Sequence, residues 1–553
     1  MAPPDRDRRG TAERQCTIPV EGRHPLPHRA QAVAGAFRPC PRAGRGRTGM
    51  DTKTGCGYDA PRFGGGMGAT ERQAAGSPSP GPGMSLERER SLVMFVVGFS
   101  TLLTTLGMSG ITLALPAIGR EFGMSIGQTR WVLLAFLLAS SSMMLIAGRL
   151  GDLFGLRRVF LVGFWIIGVA SLLCGLAPLF PALAAARALH GVGGALVMAA
   201  GPALLTTNFP PEQRGRVLGT VSTATYAGLT AGPIIGGLLV TWVSWRGVFL
   251  LNVPLSALVL VLAHRHLPSP KSREGGRMDV PGAMLLLTGL PLLMLPLAMG
   301  GTDRPAWLPA AGAAGVLLVG LFSLVELRSP HPLLDLRLFR NREFTGSVAA
   351  ALFNYIALFI LILLMPFHFE EGRGLDAWQA GLFMTAQPAV MALVAFPAGR
   401  ASDRLGTRNL CIAGMAVMAA GLAALSALGP DSPLLLAGLF LAIAGLGTGI
   451  FISPNSSSLM GAAARHQQGV ASAVLAVSRN LGMLVGTATG AGVFLLAGGQ
   501  SGVAWTPGDF SAFRTALLVA AGAAALSAVC SLWRSHPSHT QLGPARRDAT
   551  GDR

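Results

Sequence analysis

The feature that most constrains this chain is the length of its apolar runs. From residue 91 to residue 533 the sequence alternates apolar runs with short polar connections, and each run holds roughly 18 to 25 residues, the length a ~30 Å hydrocarbon core requires of a helix. Lipid offers no water to backbone N–H and C=O groups, so only helices or a closed barrel can span it. Barrel strands alternate apolar and polar side chains, and these runs do not. The expected fold is all-α and integral to a membrane, with about 14 transmembrane helices. They are read near 91–116, 128–148, 158–178, 182–206, 216–240, 246–264, 280–300, 307–327, 344–366, 378–398, 408–428, 433–456, 468–496 and 511–533.

A net charge of +18 would raise the question of nucleic acid in a soluble protein. Here the charge follows the connections. Outside the first 90 residues, Arg149, Arg157, Arg158, Lys271, Arg273, Arg277, Arg328, Arg337, Arg340, Arg342, Arg400, Arg404 and Arg408 all fall on one side of the alternation. Positive-inside bias puts that side in the cytoplasm, which holds only for an even number of spans and places both termini there. No nucleic-acid partner is expected. Cys16, Cys40 and Cys56 precede the first run, and Cys174, Cys411 and Cys530 lie in apolar segments. None has paired or metal-type spacing, so neither a disulfide, a metal site nor a cofactor is expected.

Residues 1 to about 83 are rich in Pro, Gly and Arg, include Gly64 to Gly66, and contain no apolar run; they cannot bury a core or serve as a targeting helix. Two readings are open: a disordered tail, or a start placed too early with Met84 as the true one. The expected organisation is a cytoplasmic tail (1–90), a six-helix bundle (91–264), a linker carrying two inserted helices (265–343), a second six-helix bundle (344–534) and a cytoplasmic tail (535–553). An internal repeat supports the pairing of bundles. Gly148-Arg-Leu-Gly-Asp152 returns as Gly399-Arg-Ala-Ser-Asp403, and Gly228, Gly232 and Gly236 return as Gly482, Gly486 and Gly490.

The loop from Gly148 through Asp152, Gly155, Arg157 and Arg158 combines turn-forming glycines with charges that can pair across one face. It resembles the signature loop of the major facilitator superfamily, and Asp403 marks its second copy. In span 5, Gly228, Gly232, Pro233, Gly236 and Gly237 put small residues on one helix face, where another backbone can approach. That run resembles the motif of the antiporter branches. Trp245-Arg246-Gly247-Val-Phe-Leu-Leu-Asn252-Val-Pro254 resembles the entry to span 6 of the fourteen-span drug:proton antiporters, the EmrB/QacA-like exporters. The resemblance covers residues about 90 to 535 and implies a proton-driven exporter of small amphiphilic compounds in the inner (plasma) membrane, working by alternating access as a monomer, with the loops at Asp152 and Asp403 latching one state.

Arg187 stands inside an apolar run, where an unpartnered charge costs several kcal/mol. The family assigns the equivalent arginine to proton coupling; a structural ion pair, for example with Asp152, is the other reading. His190 shares its helix face and either relays protons or packs through a hydrogen bond. Arg479 and Asn480 in span 13, at the repeat position of Thr225 and Tyr226, are read as lining a substrate cavity, with Asn354, Tyr355 and Gln387 as further candidates. The chain departs from the family at Gly107, where the fourteen-span exporters carry an aspartate, and Glu370, Glu371 and Asp376 are assigned to the loop after span 9. Three accounts of coupling stand: protons pass through Asp152, Arg187 and His190; the substrate carries the proton; or there is no proton coupling. Lack of the acid favours neutral or anionic amphiphiles over strongly cationic drugs. Rival readings are a metabolite carrier or uptake permease, a membrane receptor or anchor, and a membrane enzyme. The last finds no catalytic grouping among His264, His266, His331, His368 and His466.

Overall fold

The computed structural model describes residues 86–534, apart from 211–212, 269–278, 300–304, 329–335, 464–466 and 501–504. The expected tails therefore lie almost wholly outside the described residues, as do Cys16, Cys40, Cys56, Lys271, Arg273, Arg277, His331 and His466. All regular structure described is helical. The first half holds α1 (Leu86–Phe122), α2 (Ile126–Thr129), α3 (Trp131–Phe154), α4 (Leu156–Gly175), α5 (Phe180–Asn208), α6 (Arg214–Trp242), α7 (Trp245–Leu250) and α8 (Asn252–His266). Then come α9 (Val280–Ala298) and α10 (Leu308–Arg328). The second half holds α11 (Arg342–Phe367), α12 (Ala377–Leu405), α13 (Thr407–Ser426), α14 (Leu434–Gly461), α15 (Gln468–Leu496) and α16 (Pro507–Leu532).

Among the described residues, 13 helical segments are long and apolar enough to cross a membrane, and a shorter apolar helix lies at Val280–Pro296. α2 with α3 and α7 with α8 each count as one span. The first span begins earlier than its composition indicates: α1 starts at Leu86, inside the segment read as tail.

The halves repeat one packing scheme. In the first, α1 packs on α6, α3 and α4 on α5, and α4 on α8; in the second, α11 packs on α15, α12 and α13 on α14, and α13 on α16. Small residues set both schemes. A side chain at Gly232 would meet Ser109 and the Leu106 carbonyl at 2.6 and 2.9 Å, and one at Gly236 would meet the Gly110 backbone at 2.6 Å. The second ladder, Gly482, Gly486 and Gly490, meets Tyr355, Ile356 and Ile360 in the same order. Positions 105, 106 and 110 of α1 thus correspond to 355, 356 and 360 of α11.

The halves meet along α6 with α12 and α3 with α15. α9 and α10 pack on each other, and α9 also lies over the α3–α15 seam, where Leu286 and Leu290 join Leu145, Val477 and Leu481. At the face holding the end of α1 and the start of α12, one continuous cluster spans both halves, including Leu115, Leu133, Phe249, Leu364, Phe367 and Phe494. Towards the face that carries Arg149, Arg157 and Arg400, here called the basic face, the cores part. One gathers Val93, Val97, Met144, Phe160 and Leu204, with only Ala476 and Val477 of α15 against it; the other gathers Phe344, Leu459, Ala471 and Val474.

Candidate functional site

The signature loop is the last turn of α3 and a single glycine. Gly155 has φ 90° and ψ 135° and links α3 directly to α4. Its counterpart Gly406 (φ 81°, ψ 143°) links α12 to α13. Both glycines hold a positive φ that L side chains rarely adopt. Gly148 has open space around its Cα. Asp152 is more than half exposed and lies 3.7 Å from Arg149 one turn back. Arg157 donates to the His264 carbonyl of α8 (2.6 Å), and Arg158 is exposed. The backbone of Asp403 lies in α12, while its side chain falls outside the described residues.

α6 runs unbroken through Pro233, and its two sides do different things. Gly228, Gly232 and Gly236 seat α1, whereas the Pro233 carbonyl lies against Gly381 and Gly237 against the Ala377 carbonyl, both at the start of α12. Trp378 N donates to Thr241 Oγ1 (3.2 Å) and Thr385 Oγ1 to the Thr230 carbonyl (3.3 Å). The glycine-proline run is therefore wedged between α1 of its own half and α12 of the other.

Arg187 is buried. Its Nε donates to the Val132 carbonyl (2.8 Å), and its Nη1 lies 3.1 Å from His190 Nδ1. A guanidinium has only donors, so Nδ1 accepts. The guanidinium also sits 4.7 Å from the Phe136 ring centre and 5.9 Å from that of Phe249, at cation–π range. The ion pair with Asp152 that the sequence left open is not formed. Val132 and Asp152 stand at opposite ends of α3, about 30 Å apart at ~1.5 Å per residue. Arg187 and His190 come together, and Asp152 does not join them.

Tyr355 of α11 and Arg479 of α15 both lie within electrostatic range of Tyr226 of α6, so groups from both halves approach this tyrosine. Asn480 Nδ2 reaches Ser140 Oγ of α3 (3.4 Å). Asn354 is fully buried, yet neither of its side-chain polar atoms has a partner among the described residues; Gln387 Nε2 and Arg479 Nε are likewise unpartnered. Buried polar atoms are almost always paired, so each of these is a candidate for a polar partner outside the described side chains. Gly107 has the Asn252 amide where its side chain would be, at 2.8 to 3.0 Å. An acid there would have to displace Asn252.

Several polar groups escaped the sequence reading. Arg130 is buried at the start of α3 and donates to the Ala488 carbonyl of α15 (3.1 Å). Glu121, at the end of α1, accepts from Trp245 Nε1 (2.5 Å) and pairs with Arg246 (2.7 Å), which explains the Trp-Arg pair that opens span 6. Arg534 bonds Asn455, Asn455 donates to the Ser347 carbonyl (3.2 Å), and Ser458 bridges Ser347 and Glu343 (3.2 and 3.0 Å). Glu370, assigned above to a loop, is instead buried in a π-turn, His368–Gly372, that continues α11. It pairs with Arg120 of α1 (3.1 Å).

The described residues hold no group of three or more His, Cys, Asp or Glu side chains fit for a metal, and the cysteines described, Cys174, Cys411 and Cys530, are free thiols. The model of the Major Facilitator Superfamily matches residues 97–487 and 347–551. The chain is 31% identical over 402 residues to the riboflavin transporter RibZ of Clostridioides difficile (strain 630), covering 72% of this chain and 87% of that one. It is 31% identical over 441 residues to the methylenomycin A resistance protein of Streptomyces coelicolor, covering 78% and 90%. A bacterial homolog of the human lysosomal transporter Spinster, solved in an inward-facing, unoccupied conformation, superposes with TM-score 0.59 at 17% identity, over 82% of this chain and 100% of that one.

Proposed function

The chain belongs to the Major Facilitator Superfamily, as a multi-pass membrane transporter of small molecules and not an enzyme, and from that membership we propose that it exports neutral or anionic aromatic amphiphiles in exchange for protons. The observation that carries the reading is that Tyr226 has Tyr355 and Arg479, both from the other half, within electrostatic range. Two aromatic rings and a guanidinium from both halves suit a planar, apolar compound with a carboxylate or polarised oxygen. Asn354 and Gln387 would add hydrogen bonds. The glycine-proline run between α1 and α12 supports export, and the two inserted helices support the fourteen-span branch.

Positive-inside bias makes the basic face cytoplasmic and puts both termini there, in the inner membrane. The continuous core at the other face and the parted cores at the basic face then correspond to an inward-facing state. Alternating access moves the two bundles about the central groups. The α6 wedge against α12 acts as the pivot, and the turns at Asp152 and Asp403 hold the cytoplasmic ends when they meet. The transporter works as a monomer, and Arg187 with His190 tunes the first bundle for coupling. The riboflavin transporter among the relatives supports a second reading, a narrow-substrate carrier of a planar metabolite.

The test is accumulation of a mixed panel of amphiphiles in efflux-deficient bacteria expressing the full chain, with and without a protonophore. Proton-linked export lowers accumulation, and the protonophore abolishes that difference. Arg479→Ala should raise accumulation of anionic compounds first. A panel that gives no protonophore-sensitive difference, with the protein present in the membrane, rejects multidrug export in favour of the narrow carrier.

A further inference from the structure

With Gly107 in place of the family's span-1 acid, a carboxylate that carries the proton would have to lie elsewhere. Glu370 is placed for it. Arg120 and Glu370 are 250 positions apart, the same offset that relates positions 105, 106 and 110 of α1 to 355, 356 and 360 of α11. They are equivalent positions of the two halves, and they touch where the pseudo-two-fold axis crosses the face opposite the basic one. The pair is lopsided: the Glu370 side chain is 3% exposed and that of Arg120 is 50% exposed. Glu370 Oε2 accepts from Arg120, while Oε1 is buried and has no partner among the described residues. A half-hydrated guanidinium compensates poorly for a carboxylate taken out of water. The π-turn that carries Glu370 is the kind of helix irregularity frequent at functional sites.

We infer that Glu370 is a proton-binding site: it takes a proton on Oε1 when the outer face closes over it, while Oε2 keeps its bond to Arg120. This rests on the proton-driven reading above and names the group that carries the proton. In the outward-open state the carboxylate stands in water and is ionised. Closing buries it, and closure is favoured once the charge is neutralised. External protons therefore drive the return from outward-open to inward-facing. The other charged groups around the site are Glu371 and Asp376, His368 and Arg373 on its own turn, and Asp509 at the start of α16, whose carboxylate is occupied by Thr506 and the Gln500 amide.

The experiment measures, in the purified full chain, the spin-label distance between Ala182 and Asp431, two exposed sites at the outer ends of the two halves, with native cysteines replaced by serine. In the wild type, lowering the pH from about 8 to about 5 should raise the ratio of short to long distances about tenfold or more. Glu370→Gln, which mimics the protonated acid, should stay in the short-distance state across that range. Arg120→Gln should move the midpoint to higher pH by about one unit, because loss of a nearby cation weakens the ionised form. A pH response that persists in Glu370→Gln, or one that vanishes in His368→Gln instead, overturns the assignment. So does a midpoint that moves to lower pH in Arg120→Gln. Export and gating separate cleanly: a Glu370-dependent distance change without protonophore-sensitive export sinks the export reading and leaves the proton site standing. Protonophore-sensitive export with an unchanged Glu370→Gln distance profile sinks the proton site alone.

Discussion

In the first half Gly228, Gly232 and Gly236 seat α6 on α1, and in the second Gly482, Gly486 and Gly490 seat α15 on α11; each half also passes from its second span to its third through one glycine of positive φ, Gly155 or Gly406. What the halves bury on this shared frame differs. The first holds Arg187 against His190 and the Val132 carbonyl, towards the face opposite the basic one. At the matching place in α14 the second half has apolar residues and glycine, and its buried cation is Arg534, near the basic face. Small residues and turns duplicate the scaffold, because close backbone approach tolerates no alternative. Polar groups are free to diverge, since each needs only its own partners.

The largest effect should come from breaking one ladder and comparing it with the other. A Cβ at Gly236 meets the Gly110 backbone at 2.6 Å, whereas one at Gly490 meets Ile360 at 3.2 Å or more. Gly236→Val should cost more than about 3 kcal/mol, beyond ordinary overpacking, and abolish transport. Gly490→Val should retain measurable folded protein on size-exclusion after heating. Equal loss in both would show that the ladders are not distinguished by their local space.

Next comes the asymmetric buried cation. Arg187→Lys keeps the charge but cannot reach both the Val132 carbonyl and His190, and should cost about 2–3 kcal/mol and at least tenfold in transport. Asn455→Leu in the second half removes an acceptor of Arg534 and a donor to Ser347. It should cost about 1–3 kcal/mol of stability with a smaller loss of transport, because the proposed coupling role falls to Arg187 and not to Arg534. Transport rates normalised to folded protein decide this, and equal transport loss would remove the functional contrast between the two cations.

Much of the frame was legible because its determinants are local. Run length gave the spans, and recurring glycines gave the repeat. What could not be read is who faces whom. Nothing near Arg187 in sequence marks Val132 as its acceptor, and Asp152, the acid its motif made prominent, stands at the other end of α3. Arg120 and Glu370 were hidden for a different reason. Charged residues are ordinary at the ends of spans, so Arg120 drew no notice and Glu370 was read as part of a loop; the offset that relates them comes from the packing of α1 and α11 and not from the sequence repeat. Asn354, Tyr355 and Arg479 stood out as polar residues in apolar runs, but only the folded packing puts two of them within electrostatic range of Tyr226.

The smallest effect, and the finest test of equivalence, lies at the two linking glycines. Gly155 and Gly406 adopt nearly the same dihedrals, so Gly155→Ala and Gly406→Ala should pay the same backbone penalty, about 1–2 kcal/mol each. Space does not set the cost at Gly406, where an added Cβ meets nothing within 4 Å. At Gly406 the strain alone remains, and if the same holds at Gly155 the two variants should show matched shifts in thermal inactivation. A functional difference would then belong to the neighbouring charges: transport lost in Gly155→Ala but kept in Gly406→Ala, at equal stability, would show that the Asp152 turn moves during the cycle and that the Asp403 turn serves mainly to connect α12 to α13.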